Sequence, residues 1–455
     1  AYLIDAAGNS SELFDTADGT YLSRSFASGP LDANAGDELA FCSRNGDIYA
    51  LTATGNPVFR TNFNTLFIYT PVLADVDGNG TLEVIAGGMD GMVYAVSASG
   101  ALLPGFPFAV GGAFQTELAA ADLNNDNAFE IIAGGADGVL YVISAGGNVM
   151  PGFPMQLDGA LTGAPTITNR GLIVCGTATS IYIINSIGEI VFQGATDTHI
   201  TGGFALGDVD QDHVDQEIVG ISLSGKLYVF NDEGDNLPGF PLETGANFSC
   251  PPLLANLDSD PQLEILVHSY VNSVYGYNHD GSVLSGFPFI SSYNGSTPGT
   301  LVDFDGNNNA KLVLGHSNGV MMLNLRTAAT GLAPWTIYRG SSLRQGSFAA
   351  TGFVGSEDEL DTPAVTALSQ NYPNPFFGET TIAYSLKQDA RVQVEIYNLR
   401  GQKVYSRNLN SQKAGTHQLQ WDGKDNNGLA TASGIYLYKL NVNGESFTRR
   451  MLRLK

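Results

Sequence analysis

Along most of the chain, apolar residues alternate with polar or small residues in short segments that Gly, Asp and Asn separate. Residues 70–107 show this clearly: TPVLADV, LEVIAGG and MVYAVSA follow one another, and a fourth segment ends in PGFP. Alternation with a period of two residues between turn residues is typical of half-buried β-strands. The pattern therefore predicts a chain of short strands arranged in groups of four.

The four-strand pattern is repeated. Residues 75–107 and 122–154 have nearly the same sequence, which returns at 208–241 and 256–288 with a period of about 47 residues. One tyrosine marks the period, with a methionine in its place in the last unit: Tyr2, Tyr49, Tyr94, Tyr141, Tyr182, Tyr228, Tyr275 and Met322. Repeated four-stranded units of about 40–50 residues predict an all-β fold, a β-propeller whose blades bury their apolar faces by stacking.

The number of blades depends on how the ring closes. The marker strand occurs eight times, whereas the acidic loop described below occurs seven times. The N-terminus supplies the last two strands of one unit, and residues 345–354 look like the first strand of another. We therefore expect an eighth blade shared by both ends, with seven blades plus a hairpin as the alternative. Because Ala1 falls within a unit, we also expect a processed or truncated chain.

Each complete unit carries oxygen-bearing side chains at alternate positions of one loop. In the loop from Asp75 to Glu83 they stand at positions 1, 3, 5 and 9, as Asp75, Asp77, Asn79 and Glu83. Three other loops repeat the pattern, one of them with an inserted residue before its glutamate: Asp122, Asn124, Asp126 and Glu130; Asp208, Asp210, Asp212 and Glu217; and Asn256, Asp258, Asp260 and Glu264.

These donor sets favour a hard cation. Oxygen ligands without His or Cys select Ca²⁺ over zinc or copper. Several carboxylates within one short loop would repel one another if no cation were bound. The sequence therefore predicts four calcium sites, and the alternative is a set of Asx turns satisfied by their own backbone.

Three further units depart from the pattern. In the last unit Lys311 stands where Glu is expected, and its ammonium could replace the ion beside the remaining candidate ligands, Asp303, Asp305 and Asn307. The first unit, with Asp32 and Asn34, reads as two residues too short. The unit near Thr168 has no acidic residue in its loop and is expected to bind no metal.

The repeated loops resemble those of the FG-GAP/VCBS repeat family, propellers related to the head of the integrin α-subunit. The resemblance covers residues 1 to about 350 and rests on the spacing D-x-D-x-[DN]-x-x-x-E in register. It implies a propeller over residues 1–354, with structural calcium ions at the blade edges. It does not imply a particular ligand.

The sequence changes character after Phe353. An acidic, turn-rich linker is predicted over residues 355–366, and a different strand pattern fills residues 367–455. That segment contains NYPNPF at 371–376, WDG at 421–423 and SGIY at 433–436. It resembles the type A C-terminal sorting domain of type IX secretion systems in Bacteroidota and allied bacteria. The resemblance implies an Ig-like β-sandwich that the secretion machinery recognises, and the alternative is a sandwich with no role in export.

Charge is divided unequally between the two parts. Residues 365–455 carry 12 Lys/Arg against 6 Asp/Glu, a net charge of +6, and residues 1–364 carry the other 9 basic and 39 acidic residues, a net charge of −30. So acidic a region repels nucleic acids and anionic membranes, which we exclude as partners. The sequence has neither a transmembrane run nor a signal-peptide pattern. Its three cysteines indicate no disulfide framework, and Cys42 and Cys175 are expected to be buried.

Enzyme signatures are weak. The pentapeptide GHSNG at 315–319 matches a nucleophile elbow, but its counterparts in other units connect two strands, whereas the elbow precedes a helix. We therefore expect a secreted or surface-attached, non-catalytic calcium-binding propeller for adhesion to a glycan or a surface protein. Two alternatives remain: a self-associating subunit of an extracellular assembly, and the non-catalytic C-terminal part of a larger secreted hydrolase.

Overall fold

A computed structural model gives the structure of the protein, which is all-β apart from one short 3-10 turn among the described residues, Ala145–Gly147. The residues it describes are 2–4, 10–15, 20–31, 36–212, 216–248, 250–258, 260–269, 273–290, 298–302, 309–316, 319–328, 335, 339–341, 343–347, 367–368, 376–378, 380–386, 388–398, 400–413, 415–426, 428–443 and 445–454. The chain forms two compact units, Ala1–Ser356 and Glu357–Lys455. The predicted linker, residues 355–366, lies outside the described residues.

The described part of the first unit contains a hairpin and seven antiparallel sheets, here called blades 1 to 7 in chain order. The hairpin pairs β1 (Tyr2–Ile4) with β2 (Ser10–Glu12). The strands of blades 1 to 3 are β3 to β6 (Ala27–Gly29, Glu38–Cys42, Asp47–Thr52, Pro57–Asn62), β7 to β10 (Val72–Ala74, Glu83–Gly87, Met92–Val96, Phe108–Ala109) and β11 to β15 (Ala119–Ala121, Glu130–Gly134, Val139–Ser144, Asn148–Val149, Met155–Gln156).

The remaining blades follow the same order. Their strands are β16 to β19 (Gly163–Ile167, Ile173–Gly176, Ser180–Ile184, Ile190–Ala195), β20 to β23 (Ile200–Gly207, Glu217–Ser222, Lys226–Phe230, Leu242–Glu243), β24 to β27 (Leu253–Ala255, Glu264–His268, Ser273–Tyr277, Phe289–Ile290) and β28 to β30 (Thr300–Val302, Asn309–His316, Gly319–Ala328). The first strands of successive blades, β3, β7, β11, β16, β20, β24 and β28, contact one another in that order and form the inner side of a β-propeller.

Stacking of the blades explains the sequence of their strands. The second strand of each of blades 2 to 6 is buried at every position, because both faces of the sheet are covered by neighbouring blades. Separate apolar clusters join blades 1 and 2, blades 2 and 3, blades 3 and 4, blades 4 to 6, and blades 6 and 7. Strands buried on both faces are near-continuously apolar, whereas the outer strand β19 alternates between exposed and half-buried residues.

Closure of the ring differs from the expectation at one point. Gln345 accepts a backbone hydrogen bond from Ala120 in blade 3, and Ser347 pairs in parallel with Ile167 in blade 4. The prediction that residues 345–354 begin a composite blade is therefore wrong for residues 345–347, which satisfy backbone groups on the inner edges of two blades. Residues 348–354 lie outside the described residues, β1 pairs only with β2 within them, and the number of blades stays a prediction.

Two smaller expectations can be compared with the structure. Cys42 and Cys175 are buried, as predicted, and Cys250 is buried as well. Within the pentapeptide at 315–319, β29 ends at His316 and β30 begins at Gly319, so the segment connects two paired strands.

The second unit is an Ig-like β-sandwich. One sheet consists of β31 (Ala367–Leu368), β32 (Thr380–Leu386) and β35 (Gly415–Trp421), and the other has the order β34-β33-β36-β37, with bounds Lys403–Gln412, Ala390–Asn398, Gly434–Val442 and Glu445–Arg453. Phe376 and Trp421 pack in its core with ring centroids 5.6 Å apart. Residues 371–375 of the segment NYPNPF lie outside the described residues.

Candidate metal centres

The acidic loops connect the first and second strands of a blade, and the strand register determines their geometry. Asp75 directly follows β7, and Glu83 begins β8 opposite Ala74. The same register places Glu130 opposite Ala121, Glu217 opposite Gly207 and Glu264 opposite Ala255. The last ligand candidate of each loop therefore returns beside the first, although eight or nine residues separate them in the sequence.

The glutamate that ends each loop is 1% exposed in all four cases. One carboxylate oxygen accepts the backbone N–H of the residue after the first ligand candidate, at 2.9 Å from Val76 to Glu83, 2.9 Å from Leu123 to Glu130 and 2.5 Å from Val209 to Glu217; Leu257 donates to Glu264 in the same way. This hydrogen bond closes the loop at its base.

The second oxygen of this glutamate is left for another ligand. Oε1 of Glu83 and Oε1 of Glu264 are buried and have no hydrogen-bond partner. A buried acceptor without a partner costs about 1–3 kcal/mol, more when it is charged. A bound cation would remove that cost, so these two oxygens fit a metal ligand.

Three loops bring three carboxylates together. One ligand oxygen from each member lies within 4.8 Å of the others in each of the following groups: Asp75, Asp77 and Glu83; Asp208, Asp210 and Glu217; Asp258, Asp260 and Glu264. All the donors are oxygens, as a hard cation requires. The described residues thus contain three acidic clusters that could hold a metal ion, each at the same position of its blade.

Electrostatics in the clusters also suits a cation. Burial, followed by the negative charges of Asp77 and Asp75, raises the pKa of Glu83 to about 7, although its bond from Val76 opposes the shift. Burial and the charges of Asp258 and Asp260 likewise raise the pKa of Glu264 to about 7. A divalent ion would replace the proton that these carboxyl groups otherwise favour, because its charge opposes that of the aspartates.

The asparagine residues among the predicted ligands mainly form hydrogen bonds within the turns of their own loops. The Asn79 side-chain oxygen accepts the backbone N–H of Thr81 at 2.7 Å. Asn256 donates its side-chain amide to the Asp260 carbonyl at 2.7 Å, while its own Oδ1 is buried without a partner. In the loop with the inserted residue, Asp212 donates its backbone N–H to Asp210 at 3.1 Å and is not part of the cluster.

The loop from Asp122 to Glu130 is arranged differently. Asn124 occupies the position of Asp77, and its amide nitrogen donates to Asp126 at 3.0 Å and to Glu130 at 3.1 Å. Burial, followed by the charges of Asp126 and Asp122, raises the pKa of Glu130 to about 7. The structure does not bring three carboxylates together here, because an amide donor lies between two of them.

The expectation that the first loop is two residues too short is wrong, and Glu38 is a closing glutamate that the predicted ligand sets did not include. Leu31 donates its backbone N–H to Glu38 at 2.8 Å, the bond that Val76 donates to Glu83, and Glu38 pairs with Gly29 in the corresponding register. This loop therefore has the full length, and Pro30 occupies the first ligand position. Glu38 precedes Glu83 by the same 45 residues that separate Tyr49 from Tyr94, a signal that could have revealed it.

The two remaining loops, in blades 4 and 7, depart from the acidic pattern. In the blade 4 loop, the Thr168 hydroxyl accepts the backbone N–H groups of Arg170 at 3.3 Å and Leu172 at 3.2 Å, so a neutral side chain closes that turn. Lys311 is buried and pairs with Val302 in the register that glutamate has elsewhere. The predicted ligands Asp32 and Asn34, and Asp303, Asp305 and Asn307, lie outside the described residues.

Comparisons with known proteins bear on the two units separately. Residues 370–446 match the profile of the FlgD Ig-like domain family. No curated protein sequence matches the chain. Among solved structures, BamB from Moraxella catarrhalis is 17% identical and covers 64% of this chain and 82% of its own, with a TM-score of 0.46.

Two further structures are similar at the same level. The computationally designed Ika8 protein is 16% identical, with a TM-score of 0.37 over 66% of this chain and 97% of its own. BBS1N, solved in complex with ARL6DN, is 14% identical, with a TM-score of 0.43 over 57% of this chain and 78% of its own. The fold assignment of the first unit rests on its own sheets. No helix in the described part of the chain is long and apolar enough to cross a membrane.

Proposed function

We propose that the first unit is a calcium-binding β-propeller that acts by binding rather than by catalysis. One observation carries the metal assignment: three acidic clusters recur at the same blade position. In two of them the glutamate has one buried oxygen without a hydrogen-bond partner. Ca²⁺ accepts six to eight oxygen ligands in an irregular arrangement. Asp75, Asp77 and Glu83 would supply three of these ligands, and backbone carbonyls and water would supply the others.

The ions would have a structural role in this proposal. Phe129 of blade 3 donates its backbone N–H to the Asp75 carbonyl at 2.8 Å, and Leu263 of blade 6 donates to the Val209 carbonyl at 3.1 Å. Each of the three proposed metal loops is thus hydrogen-bonded to the loop of a neighbouring blade. Ordering one loop by an ion would therefore also stiffen the boundary between two blades.

Metal content and thermal stability test this proposal. Purified full-length protein, dialysed against calcium and then analysed for elements, is expected to retain about three calcium ions, one for each cluster. Asp280→Asn is a matched control, because Asp280 is an exposed turn residue outside the clusters that accepts the backbone N–H of Ser282 at 2.9 Å. Protein that holds no calcium and melts identically with and without chelator would contradict the proposal.

We further propose that the protein is exported by a type IX secretion system and works outside the cell, either secreted or attached to the cell surface, as an adhesion module for a glycan or a surface protein. The support is the sorting-domain resemblance of residues 367–455, whose described part is an Ig-like sandwich. Deleting residues 367–455 is expected to keep the protein inside the cell. Screening full-length protein on glycan arrays, with calcium and with chelator, tests the ligand class.

A second candidate function is that of a subunit in an extracellular assembly. The unequal charge favours it, since the acidic first unit of one copy would attract the basic second unit of another. Such attraction is screened over about 8 Å at physiological salt. Sedimentation of the full chain is therefore expected to show larger species at low salt than at high salt, and a monomer under both conditions would leave only the binding module.

A further inference from the structure

Beyond the last strand of blade 7, the described residues 335, 339–341 and 343–347 lie on the inner side of the ring. β30 ends at Ala328, and the described part of residues 335–347 then accepts backbone hydrogen bonds from four blades. In each of these four blades, the backbone N–H of an inner-strand residue donates to a carbonyl of the segment. The bonds run from Leu254 to Trp335 at 3.1 Å, from Leu73 to Leu343 at 2.9 Å, from Ala120 to Gln345 at 3.0 Å, and from Ile167 to Gly346 at 2.8 Å.

Side chains of the same segment bond to the carbonyl groups of these inner edges. Arg339 donates to the Pro165 carbonyl at 2.7 Å in blade 4 and to the Leu118 carbonyl at 2.5 Å beside blade 3. Gln345 donates to the Leu73 carbonyl of blade 2 at 2.9 Å. A guanidinium is suited to this place, because it has five donors in a fork and no acceptor, so it can serve carbonyl groups from two blades at once.

Blade 1 is held in a similar way, and Leu343 packs closely against it. Arg344 donates to the Phe26 carbonyl, directly before β3, at 3.1 Å. The Leu343 side chain lies so close to Gly29 that a Cβ atom at Gly29 would be 2.4 Å from Leu343 Cδ2. Trp335, at the other end of the segment, is buried in the apolar cluster of blades 4 to 6.

We infer that the described residues of this segment, 335, 339–341 and 343–347, form a plug along the inner edges of the propeller that holds blades 1, 2, 3, 4 and 6 together. An inner strand otherwise presents one edge of unpaired N–H and C=O groups, and the plug pairs many of these groups with chain of its own. The inference goes beyond the proposed calcium and binding functions. It also directs the search for a ligand to the blade rims and outer loops, because the plug covers the inner edges of these blades.

Amide hydrogen exchange of the full chain tests the plug through blades that are far apart in sequence. Arg339→Ala is expected to raise exchange at Leu73, Ala120, Ile167 and Leu254 together, on the order of tenfold, because local opening exposes amides that share one cover. Amides of the third strands, such as Val142, should stay protected. Arg170→Ala is the matched control, since Arg170 pairs with Asp232 at 2.7 Å outside the plug and is half exposed.

The pattern of exchange decides the result. Faster exchange limited to β11 and β16, the strands near Arg339, with Leu73 and Leu254 protected as in the wild type, would overturn the inference that the segment acts as one plug. Arg339→Lys keeps the charge but not the fork, and it is expected to give an intermediate result.

A second test remains if Arg339→Ala does not fold. Gly29→Ala is expected to lower the midpoint of thermal unfolding, because the new methyl group overlaps Leu343. Leu343→Ala opens that space, so the double variant should melt higher than the sum of the two single effects predicts. Strictly additive effects would show that Leu343 does not pack beside Gly29 in solution, and the plug would be rejected.

Discussion

The loop from Asp75 to Glu83 and the loop from Asp122 to Glu130 have the same backbone turn, but the side chains inside the two loops are arranged differently. Asp75 accepts the backbone N–H groups of residues 79 and 80 at 3.0 and 2.8 Å, and Asp122 accepts those of residues 126 and 127 at 3.2 and 3.0 Å. The backbone at Gly78 and Gly80 has positive φ, as it has at Asn125 and Asn127. The turn is therefore set by its first aspartate and does not decide whether the loop holds a cation.

The third position makes the difference. Asp77 adds a third carboxylate to its loop, whereas Asn124 places an amide donor between Asp126 and Glu130. The backbone N–H of Asp126 donates to the Asn124 side-chain oxygen at 2.9 Å, which directs the amide nitrogen toward the carboxylates. In the loop from Asp75 to Glu83, a bound ion would relieve the repulsion between the carboxylates. In the loop from Asp122 to Glu130, the two hydrogen bonds from Asn124 relieve it. We therefore expect loops with similar sequences to differ in metal dependence.

Removing calcium from the wild-type protein is expected to have the largest effect. An ion that binds only the folded state stabilises it by about 2.7 kcal/mol when its free concentration is 100 times its Kd, so three sites add about 8 kcal/mol. Calorimetry in calcium and in excess chelator measures the difference for the propeller transition. Equal melting temperatures in the two buffers would contradict the metal assignment of all three clusters.

Asp77→Asn is expected to convert the first loop of the comparison into the second. The variant should lose one of the three bound ions, and with it about 2.7 kcal/mol of calcium-dependent stability at 100 times Kd. In chelator it should be at least as stable as the wild type, because one repelling charge has been removed. Elemental analysis and calorimetry check both parts, with Asp280→Asn as control. A variant that is equally destabilised in chelator would point to a purely structural role for Asp77.

Asn124→Asp is the reverse change. It removes the donor that bridges Asp126 and Glu130, so in chelator the protein should lose about 1–3 kcal/mol of stability, the cost of leaving the buried Glu130 oxygen without this partner. In calcium the loss should be recovered as the loop takes up an additional ion, which native mass spectrometry can count. An unchanged ion count together with the same loss in both buffers would show that the third position does not control metal binding.

Thr168→Ala is expected to have the smallest effect. The hydroxyl closes the blade 4 turn through two backbone N–H groups, and hydrogen bonds of this kind contribute about 0.5–1.5 kcal/mol each. The loss should be the same in calcium and in chelator, since this loop has no acidic residue. Chemical denaturation in both buffers measures it, and a calcium-dependent difference would mean that the blade 4 loop also contributes to a metal site.

Much of the site could be predicted from the sequence, because its geometry is local. Strand register places a glutamate opposite the residue before the first ligand, and both lie within one strand–turn–strand segment. The full length of the first loop was not found, since Pro30 has replaced the leading aspartate and only the bond from Leu31 to Glu38 reveals the alignment. Nor could the sequence show that the Asn124 amide points toward the carboxylates, because that orientation depends on three hydrogen bonds around one side chain.

By itself the sequence determined the all-β class, the repeated four-strand unit, the division into two domains and the positions of the acidic loops. Each of these follows from a pattern with a short period or from motifs within a few tens of residues. Only the tertiary structure decided where the described residues of the plug lie, because Arg339 bonds to residues 165 and 118, which are 174 and 221 positions away. No local pattern marks such a segment, since its partners are backbone groups, and every sequence offers these equally.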